Sequence, residues 1–548
     1  MRFDVLNLIL GWTLIALTLP LVLCGLLTVW LDDWQLAMYS FAIPAVLSTL
    51  LGTLMLSLGT RTDTTERLRD REAFAAVALV WPIAVLIGAL PFWLGGMFVG
   101  PFTPDALMID ILRGGVNSWF ESMSGFTTTG ATIISHSMSP NCIPGTTLDC
   151  IYAQPRGLLI WRSLTQWFGG MGIIMLGMMI LSRVIGGGMA LARAELTGPS
   201  LSRLRPKLKQ TAIALWGLYI TLTLLEFSLL YFTGAMDLFD SVNHALTTMP
   251  SGGFSTRDSS IGFYDSFLVE SIIIIFMFLA GVNFTLLWFI REGDYKRAFG
   301  DEEFRNYLTY VLVAFSAIFI ALIASGYSIT NAFRDGLFQV VSFATSTGFT
   351  SSNYMDGSWP LVAHLILFIL MVVGASAGST SGGLKLLRIN LAFKVAMREL
   401  VRIAQPRKVE QIRMNGEVVE QNQIGLIVGM LFVWVGLFFL SSLILAIFMP
   451  NDSFESVTMV VASSLGNTGP TLGDFGPAET WESMNSGALI VTSILMWFGR
   501  LELLTAVILM HPRTWRREKR VHSDRSAIAL FRRLIEEKEE RSSEDDSK

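Results

Sequence analysis

Four short runs of Thr, Ser and Gly contain the residue types that could bind a bare cation. They are TTTGAT from Thr127, MPSGGFST from Met249, STGFTS from Ser346 and GNTGPT from Gly466. A cation gives up its water where oxygen atoms replace the hydration shell, and backbone carbonyls can do this. Glycine lets a carbonyl face a pore axis because it lacks a Cβ and reaches backbone angles closed to other residues. The runs therefore predict a cation filter.

A polar residue that could cap a helix precedes each run by about three helical turns. These residues are Asn117, Asp240, Asp335 and Glu455, each 12 to 14 residues before one of the glycines Gly130, Gly252, Gly348 and Gly469. A polar side chain at a helix start accepts the free amide hydrogens there. The stretches that follow are apolar but too short to cross a bilayer. Each predicts a half-helix that enters the membrane from outside and returns as an extended strand.

The elements around these runs are those of a membrane protein. Of 548 residues, only 15% are charged, against about 25% in soluble domains. About ten segments reach the roughly 20 apolar residues that a spanning helix needs. The four glycines lie 122, 96 and 121 residues apart, which indicates repeats. We expect an all-α integral membrane protein with an N-terminal helix pair and four parallel span, pore-loop, span repeats around one central pore. This amounts to about ten spanning helices and four half-helices.

The basic residues predict orientation and boundaries. Lys and Arg cluster between successive pairs of spans, and basic loops stay cytoplasmic, so both termini are predicted inside. The predicted units are the helix pair 1–60, the repeats 61–192, 193–298, 299–414 and 415–515, and a charged cytoplasmic tail 516–548. One helical face of the tail carries Ile528, Phe531, Leu534 and Ile535, which suits a membrane surface, a partner, or solvation of the charged side alone.

Six motifs in order resemble the Trk/Ktr/HKT superfamily of K⁺ uptake proteins. They are TTTGAT, SGGFST, STGFTS, WRSLTQWFGGMGI from Trp161, GASAGSTSGGLKLLR from Gly374 and GRLELLTAVILMHPRTWR from Gly499. The likeness covers roughly residues 5 to 520, and the extra N-terminal helix pair is typical of the Trk branch. It implies K⁺ uptake through a multi-pass protein of the bacterial inner (cytoplasmic) membrane.

The resemblance also implies a selectivity filter with one glycine of each repeat at the constriction. The implied glycines are Gly130, Gly252, Gly348 and Gly469. The implied carbonyl donors are the preceding residues Thr128, Thr129, Pro250, Ser251, Ser346, Thr347, Asn467 and Thr468. Glycine at all four positions favours K⁺ over Na⁺. The second and fourth runs depart from the common pattern, with MPSGG where a Thr usually precedes the glycine pair and Pro470 after Gly469.

A long segment of the third repeat predicts a gate. From Pro360 to Leu400 it is about twice the length of one span, and its middle reads GASAGSTSGG. Irregular backbone at membrane depth is tolerated only inside protein or beside a watery cavity. We therefore expect a broken helix whose loop lies beneath the filter, and the resemblance implies the same intramembrane gate; a packing kink is the alternative. The implied gate residues are Gly374, Gly378, Ser379, Thr380, Gly382, Gly383 and Lys385.

Arg500 lies inside an apolar run about ten residues from the basic cytoplasmic end. An ionisable side chain at this depth usually faces the interior of a helix bundle. The resemblance implies that Arg500 points into the pore below the filter, where it repels cations until displaced. The alternative is pairing with Glu502 or Glu226.

The cysteines leave a possible disulfide open, and neither the cysteines nor the histidines predict a cofactor site. Cys142 and Cys150 lie in a predicted external loop, where they form either a disulfide or two free thiols. The five histidines have no zinc-ligand spacing, and Leu384 stands where a phosphate-binding loop needs its lysine. We expect no cofactor in this chain, with K⁺ as the transported ion, and no enzyme activity.

Competing functions and partners complete the expectations. An ion-coupled K⁺ symporter driven by H⁺ or Na⁺ is the first alternative, since broken helices also build carriers. A Na⁺-permeable relative or a membrane enzyme fits less well, because an enzyme needs a cluster of Asp, Glu, His or Cys at membrane depth. By analogy with the family, we expect a homodimer in the lipid bilayer, seated on cytoplasmic nucleotide-binding regulatory subunits (TrkA-like), and no nucleic acid.

Overall fold

The computed structural model describes residues 3–59, 70–171, 208–407, 411–477, 479–501, 505 and 512–515. Apart from one two-stranded hairpin, the regular structure in these ranges is helical. The predicted amphipathic face at Ile528, Phe531, Leu534 and Ile535 lies outside the described residues, as does Glu502.

Six described helices are long and apolar enough to cross a membrane. They are Phe3–Leu31, Trp34–Gly59, Asp70–Leu94, Leu208–Phe232, Glu302–Ala324 and Gln421–Phe448. A bent pair, Phe267–Ala280 and Phe284–Arg291, makes a possible seventh span. The all-α membrane fold is thus confirmed, whereas the total of about ten spans stays a prediction.

The first two helices pack as a close pair before the repeats begin. A Cβ atom on Gly11 would lie 2.9 Å from the carbonyl oxygen of Gly52, and one on Gly52 would lie 3.0 Å from the carbonyl of Gly11. Small residues let helix backbones approach closely where lipid provides no hydrophobic drive. A hydrogen bond of 3.1 Å between the hydroxyls of Thr18 and Thr49 adds a polar contact.

Four shorter helices form the predicted half-helices. Their bounds are Met108–Phe126, Leu238–Thr248, Ile329–Ala344 and Phe454–Gly466. We call them half-helices 1 to 4. Each stands between a first span and a second, apolar helix; the second helices begin at Arg156, Phe267, Leu361 and Ser486.

The predicted helix caps were wrong. Half-helices 2 to 4 are capped by the side chains of Asp237, Ser328 and Ser453, and half-helix 1 starts after Leu107 without a side-chain cap. The four residues expected as caps, Asn117, Asp240, Asp335 and Glu455, lie within the helices instead. Asp240 shows why: its carboxylate accepts hydrogen bonds from Thr256 and Arg257 of the returning segment, a tertiary role rather than a capping role.

The predicted break in the third repeat is confirmed. Helix Leu361–Val373 ends at Gly374, and helix Leu386–Ala404 starts after Lys385. A second break was not predicted: helices Phe267–Ala280 and Phe284–Arg291 meet at 105°. There the side chain of Asn283 caps the second helix by accepting from the amide of Thr285 at 2.9 Å. Asn283 was the available sequence signal for this break.

A small hairpin packs next to the broken helix. Strands Arg413–Met414 and Glu417–Val418 pair antiparallel around an Asn-Gly turn, a preferred hairpin turn. Met414 shares a hydrophobic cluster with Leu391 of the broken helix and Ala377 of its loop. The amide of Ala377 donates to the Glu303 carboxylate at 2.5 Å. The hairpin and the third repeat therefore hold the loop from one side.

Candidate ion filter and gate

The chain leaves each half-helix through the same backbone conformation. We call the segments that follow loop segments 1 to 4, comprising residues 127–132, 250–255, 345–350 and 466–471. The second residue of each has a left-handed φ: Thr128 (54°), Ser251 (57°), Ser346 (52°) and Asn467 (51°). Two residues later a glycine is again left-handed: Gly130 (87°), Gly253 (76°), Gly348 (83°) and Gly469 (93°). This conformation favours glycine.

Backbone hydrogen bonds fix the same register. In each loop segment one amide returns to a carbonyl in the last turn of its half-helix, over 2.9 to 3.1 Å. The donor and acceptor pairs are Thr129 and Ser124, Gly252 and Thr247, Thr347 and Ser342, and Thr468 and Ser463. Gly252 therefore occupies the position of the threonines, and Gly253 occupies that of the glycines. The family resemblance implied Gly252 at the glycine position, where the backbone places Gly253, and it implied Pro250 among the carbonyl donors.

The four loop segments contact one another in a closed ring. A Cβ atom on each left-handed glycine would overlap the carbonyl oxygen of the next segment. The overlapping pairs are Gly130 and Gly252, Gly253 and Thr347, Gly348 and Thr468, and Gly469 and Thr129. The last pair returns to the first segment. Only glycine permits this close approach of four backbones, because any side chain would push two segments apart.

The same glycines border a single cavity. Its volume is about 290 Å³, and Gly130, Gly253, Gly348 and Gly469 all line it. Residues beyond the glycines, among them Thr132 and Ser255, form the rest of the wall. The ring therefore opens on one shared space, as the parallel orientation of the four repeats requires.

Some side-chain oxygens of the loop segments have no hydrogen-bond partner in the described ranges. These buried atoms are Thr128 Oγ1, Asn467 Oδ1 and Thr468 Oγ1. Other threonine hydroxyls are paired, since Thr127 bonds Thr129 and Thr345 bonds Thr347, each at 2.8 Å. A buried oxygen without a protein donor suits a water or a cation. The oxygens available here belong to carbonyl and hydroxyl groups and not to carboxylates. Such neutral oxygens suit a cation that must be bound weakly enough to be released again.

A buried ion pair braces loop segments 1 and 2. Arg162 Nε donates to Glu121 Oε1 at 2.7 Å, and both side chains are almost fully buried. Glu121 also accepts from the hydroxyl of Thr132, at 2.9 Å. Arg162 Nη1 donates to the carbonyl of Ser255 at 3.0 Å, and its guanidinium lies over the ring of Phe254. Sequence reasoning missed this pair, because 41 residues separate its members.

Hydrogen bonds between the outer parts of the loops also join neighbouring repeats. Gly262 donates its amide to Thr350, the hydroxyl of Tyr354 donates to the carbonyl of Thr471, and the amide of Trp481 donates to the carbonyl of Thr132, at 3.0 to 3.1 Å. With the Arg162 contact to Ser255, each repeat is thus bonded to the next. The four loop segments are therefore joined both at the glycines and by these hydrogen bonds further along the chain.

The loop of the broken helix, from Gly374 to Gly383, is called the intramembrane loop below. It contacts the loop segments at the end that lies away from the cavity. The amide of Gly382 donates to the hydroxyl of Ser346 at 2.5 Å. Thr380 Oγ1 lies 2.9 Å from Ser251 Oγ and donates to the carbonyl of Met249 at 3.0 Å. Ser251 and Ser346 precede the glycines, whereas the outer cavity is bordered by the glycines and the residues after them. The loop is therefore placed where a gate would have to stand.

The other predicted gate residues shape this loop. Gly374, Gly378, Gly383 and Lys385 all have left-handed φ values between 69° and 76°. Within the loop, Ser379 Oγ donates to the carbonyl of Ser376 at 2.6 Å, and Lys385 Nζ donates to the carbonyl of Ser381. The loop is therefore closed by hydrogen bonds of its own; whether it gates transport or is a packing kink stays a prediction.

Arg500 binds this loop and a neighbouring repeat. Its Nη1 donates to the carbonyl of Thr380 at 2.9 Å, and its Nη2 donates to the carbonyls of Gly169 and Gly170 at 2.7 and 2.9 Å. The alternative pairing with Glu226 is not seen, because that carboxylate has no hydrogen-bond partner in the described part of the chain. The guanidinium thus connects helix Ser486–Arg500 with the loop of the broken helix and with the C-terminal end of helix Arg156–Gly170.

Cys142 and Cys150 form a disulfide, while Cys24 is a buried free thiol. The disulfide loop is fixed to the second repeat, since Asp258 accepts from the amides of Cys150 and Ile151 at 2.7 and 2.9 Å. Cys150 and Asp258 both line the outer cavity. The loop therefore forms part of the outer mouth.

The fold and the site define a class: a multi-pass, all-α membrane protein built around a ring of four re-entrant loops. The chain belongs to the TrkH family, described as cation transport proteins, whose model matches residues 107–517. This is a family of transport proteins and not of enzymes, as the sequence predicted.

Named relatives resemble the chain over most of its length. The Trk system potassium uptake protein TrkH of Escherichia coli strain K12 is 36% identical, over 82% of this chain and 87% of the relative. The protein of that name from Halomonas elongata is 33% identical, over 93% and 98%. The crystal structure of the potassium transporter TrkH from Vibrio parahaemolyticus superposes with a TM-score of 0.78 at 30% identity, covering 94% of this chain and 100% of that one.

Proposed function

We propose that this protein takes up K⁺ across the bacterial inner membrane through a filter made of its four loop segments. The closed ring of four glycines, each against the carbonyl of the next segment, carries the proposal. Four stacked backbones of this kind present carbonyl oxygens to one axis, and such oxygens replace the hydration shell of K⁺. The relatives named as potassium uptake proteins support K⁺ as the transported ion.

The register of the ring defines the proposed filter residues. They are Thr128, Thr129 and Gly130; Ser251, Gly252 and Gly253; Ser346, Thr347 and Gly348; and Asn467, Thr468 and Gly469. Pro250 of the original expectation aligns with Thr127, outside this set. The half-helices add a further effect, because their C-terminal ends carry partial negative charge towards the loop segments and so favour cations over anions.

The proposed gate is the loop from Gly374 to Gly383, held by Arg500. Its contacts with Ser251 and Ser346 support a position across the inner end of the filter. Removing residues 376–379 should raise K⁺ flux, because the shortened loop can no longer reach both serines. Unaltered flux in a variant that reaches the membrane in normal amount would contradict a gating role.

An ion-coupled mechanism is supported by one observation. Both carboxylate oxygens of Glu226 are buried without a hydrogen-bond partner in the described residues, in a membrane-spanning helix. Such a carboxyl group is able to carry a proton. Uptake that stops when the proton gradient is collapsed at constant membrane potential would favour H⁺ symport; persistent uptake would favour passive flow.

The proposed oligomeric state and regulation are those that the family resemblance implies. We propose a homodimer with both termini in the cytoplasm, controlled by TrkA-like nucleotide-binding subunits. Membership of the TrkH family supports this arrangement. Crosslinking of the purified protein in membranes, with and without the regulatory subunit, would test both contacts.

Rescue of a bacterium that lacks K⁺ uptake tests the transport proposal. We expect the chain to restore growth at low external K⁺ and to promote Rb⁺ uptake that K⁺ inhibits more strongly than Na⁺. The glycines of the ring are then changed one at a time to alanine. Growth that depends equally on Na⁺ and K⁺, or that survives all four changes, would overturn the proposal.

A further inference from the structure

Loop segment 2 lacks a side chain that the other three segments carry. At the position directly before the left-handed glycine, segments 1, 3 and 4 have Thr129, Thr347 and Thr468, whereas segment 2 has Gly252. In segments 1 and 3 the hydroxyl of this threonine is bonded to the threonine two residues earlier, at 2.8 Å. Pro250 occupies that earlier position in segment 2, so the matching bond cannot form.

A glutamine from another repeat occupies the empty volume. A Cβ atom on Gly252 would overlap the side-chain amide of Gln166, which lies in helix Arg156–Gly170. Gln166 is fully buried. Its Nε2 donates to the carbonyl of Gly252 at 2.7 Å, and its Oε1 accepts from the amide of Phe254 at 3.1 Å. One side chain therefore binds the backbone on both sides of Gly253.

The carbonyl that Gln166 binds belongs to the ring itself. The Gly252 oxygen is the one against which Gly130 is packed, so its position sets the contact between segments 1 and 2. A carbonyl oxygen has two lone pairs and can accept from an amide while facing a second partner. The Gln166 hydrogen bond fixes the direction of this oxygen without removing it from the ring.

We infer that Gln166 is a positioning residue for ion selection, which replaces in segment 2 the hydroxyl bonds that hold segments 1 and 3. The inference rests on the proposed K⁺ uptake and deepens it. It makes the ring asymmetric: the Gly252 carbonyl accepts from an amide of a neighbouring helix, whereas segments 1 and 3 are held by their own pairs of threonine hydroxyls. Cation preference then depends on a residue outside all four loops.

Gln166→Leu removes both hydrogen bonds at nearly constant volume. The Gly252 carbonyl and the Phe254 amide lose their partners, and segment 2 can shift within the ring. We expect the preference for K⁺ over Na⁺ in competitive uptake to fall about tenfold, because a carbonyl free to turn away from the ring no longer coordinates the cation in a fixed position. An unchanged preference would overturn the inference.

A compensating pair tests the same contact without requiring that the leucine variant fold. Gly252→Thr alone should reduce K⁺ uptake at least about tenfold, because the new side chain overlaps Gln166 and must displace it. The double variant with Gln166→Ala has room for a threonine like those of the other segments. We expect it to regain K⁺ uptake but to keep the lowered K⁺ preference of Gln166→Leu, because Pro250 leaves the new threonine without the partner that Thr127 and Thr345 provide in segments 1 and 3. A double variant no better than Gly252→Thr would also overturn the inference.

The matched control is Gln339→Leu. Gln339 is a buried glutamine of half-helix 3 whose side-chain atoms have no hydrogen-bond partner among the described residues. It should keep the wild-type cation preference; a loss as large as that of Gln166→Leu would mean that any buried change near the ring has the same effect, and this would overturn the inference.

The wild-type protein separates the two proposals. If it shows no K⁺ uptake, the proposed function fails, whereas normal uptake with an unaffected Gln166→Leu variant removes only this inference.

Discussion

Arg500 donates a hydrogen bond of 2.9 Å to the carbonyl oxygen of Thr380, while the hydroxyl of Thr380 lies 2.9 Å from that of Ser251. Thr380 of the intramembrane loop is therefore held by Arg500 of helix Ser486–Arg500 and touches Ser251 of loop segment 2. Because Arg500 also binds Gly169 and Gly170, the loop cannot move without breaking charge-assisted bonds. Arg500 therefore places a positive charge beside the loop segments and also holds the intramembrane loop in position.

Arg500→Ala should raise K⁺ flux about fivefold, since removing one nearby charge changes a barrier by about 1 kcal/mol. Arg500→Lys separates the two roles, because lysine keeps the charge but lacks the planar fork that reaches three carbonyls. We expect the lysine variant to have intermediate flux. Rb⁺ uptake per molecule in proteoliposomes gives the measurement. A decrease for Arg500→Ala at normal protein level would contradict the barrier role.

The left-handed glycines should control selectivity through their contacts and not through conformation alone. Gly130→Ser must accommodate a side chain where the Gly252 carbonyl lies, and it is also strained at a φ of 87°. We expect its K⁺ over Na⁺ preference to fall about tenfold, as carbonyls leave their ring positions. Gly326→Ala is the control, since its φ is 93° but open space surrounds it. If both variants select normally in cation uptake, Gly130 is not part of the filter.

The register of loop segment 2 was not predicted correctly from the sequence. The residues MPSGG offer two adjacent glycines, and the spacing from the half-helix alone does not separate them, although the Phe that follows both Gly253 and Gly348 would have aligned these two. The choice is made by the Gly252 amide bond to Thr247 and by Gln166, which comes from a helix 86 residues earlier. A contact of that range leaves no periodic signal in the sequence.

The broken third-repeat helix was predictable, in contrast, because its cause is local. Ten consecutive small and polar residues from Gly374 cannot maintain a lipid-exposed helix. The half-helix caps failed for the opposite reason. Glu455 and Asp240 look like caps in isolation, but Ser453 and Asp237, two or three residues earlier, provide the capping oxygens. Local patterns located the elements, and tertiary contacts decided their ends.

The buried Glu121 and Arg162 pair should be essential for folding. Removing one partner by Glu121→Ala leaves an uncompensated buried charge, which costs about 3–5 kcal/mol. The protein should then lose heat stability in detergent, measured by fluorescence-detected size exclusion. Replacing both, by Glu121→Gln with Arg162→Met, should recover part of the loss because no buried charge remains.

The surface pair Arg402 and Glu399 gives the comparison for that prediction. Its side chains are 69% and 45% exposed and 3.6 Å apart. Exposed pairs contribute about 0–1 kcal/mol, so Glu399→Ala should leave the melting temperature nearly unchanged. Equal losses at Glu399 and Glu121 would show that burial is not what makes the filter pair important.

The external disulfide loop should open more readily at neutral pH than at pH 5. Burial, assisted by the neighbouring Asp258 carboxylate, raises the pKa of Asp149 to about 6 from its ordinary 3.8. An acid with a raised pKa binds its proton more tightly in the folded loop, so the loop loses stability as the pH rises through 6. We expect a loss of about 1 kcal/mol for this partly exposed group, seen as smaller hydrogen-exchange protection factors for residues 142–152 at pH 7.

Asp149→Asn is the control for this prediction. It keeps an oxygen that accepts from the Tyr152 amide and should remove the pH dependence. The assignment fails if protection in the wild type is the same at both pH values, or if the asparagine variant responds to pH as the wild type does.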